Sequence, residues 1–150
     1  MTFKEWKKTV DFSGKSGIIK LNRSMERREK NIGAFKNLEI PMQKRNVFRI
    51  LKKYGISTKD LTIKIQRSGK LLKLPLYGST DYNNIGRIDL FPNAFTDEEQ
   101  LVRTVIHEKC HVLQLKKHGK LYTQENLDTM EEQARRFENL YYNILKKKVK

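Results

Sequence analysis

Two of the chain's three histidines stand four residues apart, in His107-Glu108-Lys109-Cys110-His111. On an α-helix that spacing sets one imidazole a turn above the other, so both aim at one point. Imidazole nitrogen binds Zn²⁺ at roughly 2 Å, and a helical i, i+4 pair supplies two corners of a tetrahedron. Glu108 follows the first histidine directly, where its carboxylate can reach a water on the metal without ligating the ion. The run therefore offers the parts of metal-assisted hydrolysis, with His107 and His111 as ligands and Glu108 as general base. Cys110 lies between the histidines but about 100° around the helix from His111. That position points to packing, not ligation.

The motif needs a helix to position it, and its neighbours supply one. Leu101, Val105, Val112 and Leu115, with Val102, Ile106 and Leu113, form a broad apolar stripe beside the histidines. Thr96-Asp97-Glu98-Glu99 gives a cap and first-turn acids, and Gly119 a stop. Two histidines alone make a poor zinc site, so a third ligand is required. His118 comes seven residues after His111, whereas the metzincin arrangement needs a histidine six later, where Lys117 stands. It also needs glycine where Gln114 stands, which excludes that subclass.

A glutamate from a following helix is the other common solution. Asn126 to Lys146 reads as such a helix, with an apolar stripe of Leu127, Met130, Ala134, Phe137, Tyr141 and Ile144. Glu131 falls about 90° from the centre of that stripe, at a border from which a side chain reaches a cleft. Glu138 lies near the same border two turns on. Glu132 faces nearly opposite, and Asp128 points away. Wheel geometry thus orders the candidates Glu131, Glu138, Glu132 and Asp128.

At 150 residues the chain has the size of one domain with a sizeable core, and 37% apolar content suits a globular protein. With 33% charged residues and a mean hydropathy of −0.72, its surface must be very polar. The lone cysteine excludes internal disulfides and fits a reducing compartment or a brief extracellular life. Met1-Thr2-Phe3-Lys4-Glu5 leads into charged sequence, with no signal peptide and no membrane span. The expected location is cytoplasmic, or wherever a carrier delivers the chain.

The net charge of +15 is unevenly placed. Residues 1–60 hold 16 Lys/Arg against 6 Asp/Glu, a net of +10, which leaves +5 for residues 61–150. Such a half could meet nucleic acid, an anionic membrane or an acidic protein. No zinc-finger spacing, RNP-like sequence or helix-turn-helix pattern supports nucleic acid. Gly14-Lys15-Ser16 is no phosphate loop, because Thr9 occupies the position of the required first glycine and no apolar strand precedes it.

Residues 1–40 read as a basic, weakly ordered arm with a short strand over Gly17-Ile18-Ile19-Lys20-Leu21, and residues 41–150 as the domain. Met42 to Tyr54 is a helix carrying Val47, Ile50, Leu51 and Tyr54, closed by Gly55. Leu61 to Arg67 alternates as a half-buried strand, and Leu71 to Tyr77 is a second, demoted to an edge or loop by Pro75. Gly78 to Asn84 reads as a polar loop, and Ile85 to Leu90 as a strand ended by Pro92. The fold class is α+β, with helices packed on one small sheet.

With these pieces assembled, His107-Glu108-x-x-His111 and Glu131 twenty residues on resemble a small zincin metallopeptidase of the gluzincin kind. The likeness covers about residues 43–145. Within it, Asp81-Tyr82-Asn83-Asn84-Ile85-Gly86-Arg87 through His111-Val112-Leu113-Gln114-Leu115 resembles the C-terminal zincin domains of phage head-morphogenesis and polymorphic-toxin proteins. The resemblance implies a zinc metallopeptidase acting on a protein or peptide substrate, as a toxin or processing protease, with an inhibitor or immunity protein as a further partner. It implies a short mixed sheet in which Ile85 to Leu90 is the edge strand beside the active-site helix. That strand would hold substrate by β-addition, with Gly86 and Arg87 facing it. Tyr122, His118 and Tyr82 are the candidates to stabilise the oxyanion. The alternative is a basic nucleic-acid- or protein-binding module on an inactive zincin scaffold.

Overall fold

Val47, Ile50 and Leu51 recur at the spacing of one helix face, and all three are buried on α1 (Lys44–Lys53). The computed structural model describes residues 35–119 and 124–149. The chain falls into two units, Met1–Lys36 and Asn37–Lys150, and the elements named here belong to the second. Most of the basic arm, including Gly17-Ile18-Ile19-Lys20-Leu21, lies outside the described residues. Just ahead of α1, Glu39 and Ile40 donate backbone N–H groups to the carbonyls of Thr96 and Phe95. Leu38 and Ile40 pack on the core there, so the domain's packing starts before Pro41.

After α1 come β1 (Thr62–Ile65), a 3₁₀ turn over Gly69–Lys73, β2 (Gly78–Thr80), β3 (Arg87–Leu90) and a second 3₁₀ turn over Pro92–Phe95. Two long helices follow, α2 (Glu98–His118) and α3 (Gln124–Val149). Among the described residues the fold is thus α+β, three α-helices on a three-stranded mixed sheet in the order β1-β3-β2. β1 runs parallel to β3 and β2 antiparallel to it.

This topology corrects the expectation for Ile85 to Leu90. Its strand, β3, is central, with Ile63 opposite Ile88 on one side and Thr80 opposite Ile88 on the other. Ile88 and Leu90 are fully buried, as a central strand demands. The edge is β2, inside the stretch Gly78 to Asn84 that looks like a polar loop. Gly-Ser-Thr has little strand propensity of its own, and pairing with β3 decides the matter. An Asx turn, in which Asp81 Oδ1 accepts from the N–H groups of Asn83 and Asn84, turns the chain back towards β3. Leu71 to Tyr77 forms no strand: part is the 3₁₀ turn, and the rest is tied down by Asn93 Nδ2 donating to the Leu74 carbonyl at 2.8 Å.

The core joins α1, the sheet and α2 through Val47, Leu51, Ile88, Leu90, Phe95, Leu101, Val102 and Val105, all at or near zero exposure. Burying each such side chain is worth about 1.5–3 kcal/mol, so this layer supplies most of the cohesion. α2 starts where its sequence directs, with Asp97 Oδ1 accepting from Gln100 N at 2.7 Å. It ends at Gly119, whose N–H bonds the Leu115 carbonyl.

The buried face of α3 is rotated from the predicted stripe. Ala134 and Tyr142 are buried and Phe137 and Leu145 partly so, whereas Tyr141 and Ile144 are exposed. Seven residues fall only about 20° short of two full turns, so Glu131 and Glu138 share one row with Tyr142 and Leu145. The rotation carries both carboxylates from the border of the stripe into the middle of the face that meets α2. Among the described residues no helix is long and apolar enough to cross a membrane.

Candidate metal centre

The α2 face opposite the apolar core carries Arg103, His107 and His111 one turn apart, and α3 lays its two glutamates across them. Glu131 Oε1 lies 2.8 Å from His107 Nε2, and Glu131 Oε2 lies 3.0 Å from His111 Nε2. The two Nε2 atoms are 3.2 Å apart. Donors around a tetrahedral zinc ion, each at roughly 2 Å from it, stand roughly 3.3 Å from one another. His107, His111 and Glu131 thus form a compact group able to hold a metal, and two imidazoles with a carboxylate suit several divalent ions.

The outer nitrogens are also committed. His111 Nδ1 meets Gln114 Oε1 at 2.8 Å, and an amide oxygen can only accept, so Nδ1 carries the proton. Gln114 is held in turn by its Nε2, which donates to the Met130 carbonyl and to Gln133 Oε1 on α3. His107 Nδ1 meets Glu138 Oε1 at 3.2 Å. Arg103 donates from Nη1 to Glu138 Oε2 at 3.1 Å and to Asn139 Oδ1 at 2.7 Å, and its guanidinium stacks over the Tyr142 ring. With Nδ1 turned to its outer partner in each ring, it is Nε2 that both imidazoles turn towards Glu131. This is the arrangement by which outer partners fix metal-ligating histidines.

Glu108 sits on the other flank, 7% exposed, with Thr80 Oγ1 donating to its Oε2 at 2.6 Å. The same hydroxyl lies 3.1 Å from the Glu108 backbone carbonyl, so β2 is pinned to α2 at Glu108. Gly78 allows this closeness. A Cβ there would stand 2.8 Å from Thr104 Cγ2 and 3.3 Å from Glu108 Cγ. Antiparallel alternation does the rest: Tyr77 and Asp81 bond β3, so the backbone polar groups of Gly78 and Thr80 point to the open edge.

The electrostatics follow the burial. Desolvation pushes the Glu108 carboxyl above the usual range, against the Thr80 hydrogen bond and the two histidines. Desolvation also works against a charged His107, but the Glu138 hydrogen bond and the surrounding carboxylates raise its pKa overall. Desolvation opposes ionised Glu138 as well, and His107 and Arg103 overcome it, holding that carboxyl below the usual range. Burial pushes the Cys110 thiol up, and Cys110 is no member of the group.

A cleft of about 360 Å³ opens over this constellation, walled by Leu76 to Thr80 and Tyr82 on one side and by Glu131 and Glu138 on the other. Of the sequence candidates, His107, Glu108, His111 and Glu131 converge here. Glu138 orients His107. Glu132 is exposed and paired with Arg136, and Asp128 is exposed. Tyr82 lines the cleft, His118 is exposed at the end of α2, and Tyr122 lies outside the described residues. Gly86 and Arg87 do not line it. Gly86, at φ 105°, packs where a Cβ would meet the Asp60 carbonyl at 2.7 Å, and Arg87 pairs with Asp89. Central β3 has no free edge to offer; the edge strand on this side is β2. Gln114, Thr80, Arg103 and Gly78 escape the sequence reading; only Gln114, three residues after His111, carries a local signal. Compared with protein-family models, curated proteins and solved structures, the chain matches none.

Proposed function

We propose that this chain is a zinc-dependent peptidase that binds an extended segment of a protein substrate along β2. What carries the reading is the pair of Nε2 atoms facing one carboxylate, each imidazole oriented by its own acceptor, with a buried glutamate beside them. Zinc held by His107, His111 and Glu131 would polarise the scissile carbonyl and lower the pKa of a water towards neutrality.

The remaining work belongs to the chain's own groups. Glu108, with its raised pKa, takes a proton from the attacking water and returns it to the leaving nitrogen. Thr80 keeps the Glu108 carboxylate on the side of the cleft that β2 lines. The outward backbone groups of Gly78 and Thr80 pair with the substrate backbone by β-addition. Tyr82 is the described candidate for stabilising the oxyanion, since it lines the cleft.

The test is Glu108→Gln. We expect the purified variant to keep a near-stoichiometric metal ion, read by elemental analysis, and to lose about 10²- to 10⁴-fold in cleavage of an unfolded protein. Wild-type cleavage by that variant would overturn the reading. So would full biological effect without cleavage, the outcome a basic binding module on an idle scaffold requires.

A further inference from the structure

A strongly basic surface lies on α1, outside the cleft. The helix reads Lys44-Arg45-Asn46-Val47-Phe48-Arg49-Ile50-Leu51-Lys52-Lys53, five cations and no acid. Val47, Ile50 and Leu51 turn into the core, which leaves Lys44, Arg45, Phe48, Arg49 and Lys52 exposed on the outer face. Lys53 pairs with Glu98 at 2.7 Å, but no ion pair joins Lys44, Arg45, Arg49 or Lys52 to an acid among the described residues.

The spacing makes one stripe. Arg45, Phe48, Arg49 and Lys52 stand at i, i+3, i+4 and i+7, and Lys44 lies one turn before Phe48. Phe48, 40% exposed, is thus an aromatic ring standing among cations on a face that owes nothing to the core. From Arg45 to Lys52 the helix rises about 10 Å, so cations on long side chains spread over a few phosphates of a strand.

We propose that α1 binds single-stranded nucleic acid, with Arg45, Arg49 and Lys52 on successive phosphates and a base stacked on Phe48. That combination, a cationic track with an aromatic platform, is how strands are held without sequence preference. An anionic membrane is the poorer occupant, because the helix's apolar face is already spent on the core and only Phe48 would enter lipid. An acidic protein would satisfy the charges but supplies no run of bases to stack on Phe48.

The experiment is fluorescence anisotropy of a labelled oligothymidylate with the full chain across a salt series. Wild type is expected to bind with an affinity that falls steeply with salt, and Phe48→Ala to weaken binding about tenfold. Arg45→Glu/Arg49→Glu/Lys52→Glu is expected to abolish measurable binding with helix content unchanged by circular dichroism. If that variant proves poorly folded, Arg45→Gln/Arg49→Gln/Lys52→Gln serves instead, with a salt slope shallower by about two. No binding by wild type, undiminished binding by the folded charge variants, or equal competition by polyglutamate or anionic vesicles would each overturn the proposal. Loss in the charge variants with none in Phe48→Ala would overturn the stacking.

Discussion

The motif helix α2 has two neighbours and is joined to them by opposite means. Towards α1 and the sheet the contact is apolar and fully buried, built from Val47, Leu51, Ile88, Leu90, Leu101, Val102 and Val105. Towards α3, among the described residues, Ala134 and Tyr142 of that helix are buried and Phe137 and Leu145 partly so. Beside them that seam carries a polar network: Glu131 on both histidines, Glu138 on His107 and Arg103, and Gln114 on Met130 and Gln133. An apolar seam is indifferent to pH and metal, whereas a polar one is only as firm as its partners are matched. The candidate metal centre thus doubles as the fastening of α3.

The largest effect expected from breaking this contrast is on the apolar side. Ile88→Ala should cost about 2–5 kcal/mol of global stability, read as an earlier denaturant midpoint with both seams lost together. Next comes His111→Ala, or chelation of the metal-loaded protein. Amide exchange should rise along residues 124–149 while α1 and β3 stay protected; equal loosening of α1 would show the seams to be one unit. Glu138→Gln should weaken metal binding about 10- to 100-fold in a competition titration without unfolding α3.

The smallest effect is at the ion pair tying α1 to α2. The Lys53 hydrogen bond, against desolvation, holds the Glu98 carboxyl below its ordinary value of 4.5. A folded pKa below the unfolded one means the pair stabilises above about pH 4.5, and its contribution fades as pH falls through the lowered value. Both partners are partly exposed, so the gain is under about 1 kcal/mol. Glu98→Gln should remove that part of the acid sensitivity, seen as a smaller difference between midpoints in neutral and acid buffer.

What was legible in the sequence was what local chemistry decides. Asp97 and Gly119 bound α2 because cap and stop act within one turn, and the histidines share a face because four residues make nearly a turn. The strands were harder. Ile85 to Leu90 was readable as a strand, but its central place depends on β1 and β2, which are remote in sequence. Gly78 to Thr80 has no strand signal and becomes one only against β3. Glu131 and Glu138 could be ranked on a wheel yet not given separate jobs, since Arg103 and His107, on another helix, draw Glu138 aside. Arg103 and Thr80 act through tertiary contacts alone.

The tight fit at Gly78 sets limits on how this cleft can be redesigned. Where no Cβ can be accommodated between Thr104 and Glu108, the floor beside Glu108 is bare main chain. Such a floor presents the same surface whatever neighbouring residues become, and position 78 is closed to tuning. Any change to the shape of the cleft has to be made at the rim, where the side chains of Leu76 and Tyr77 stand half-exposed.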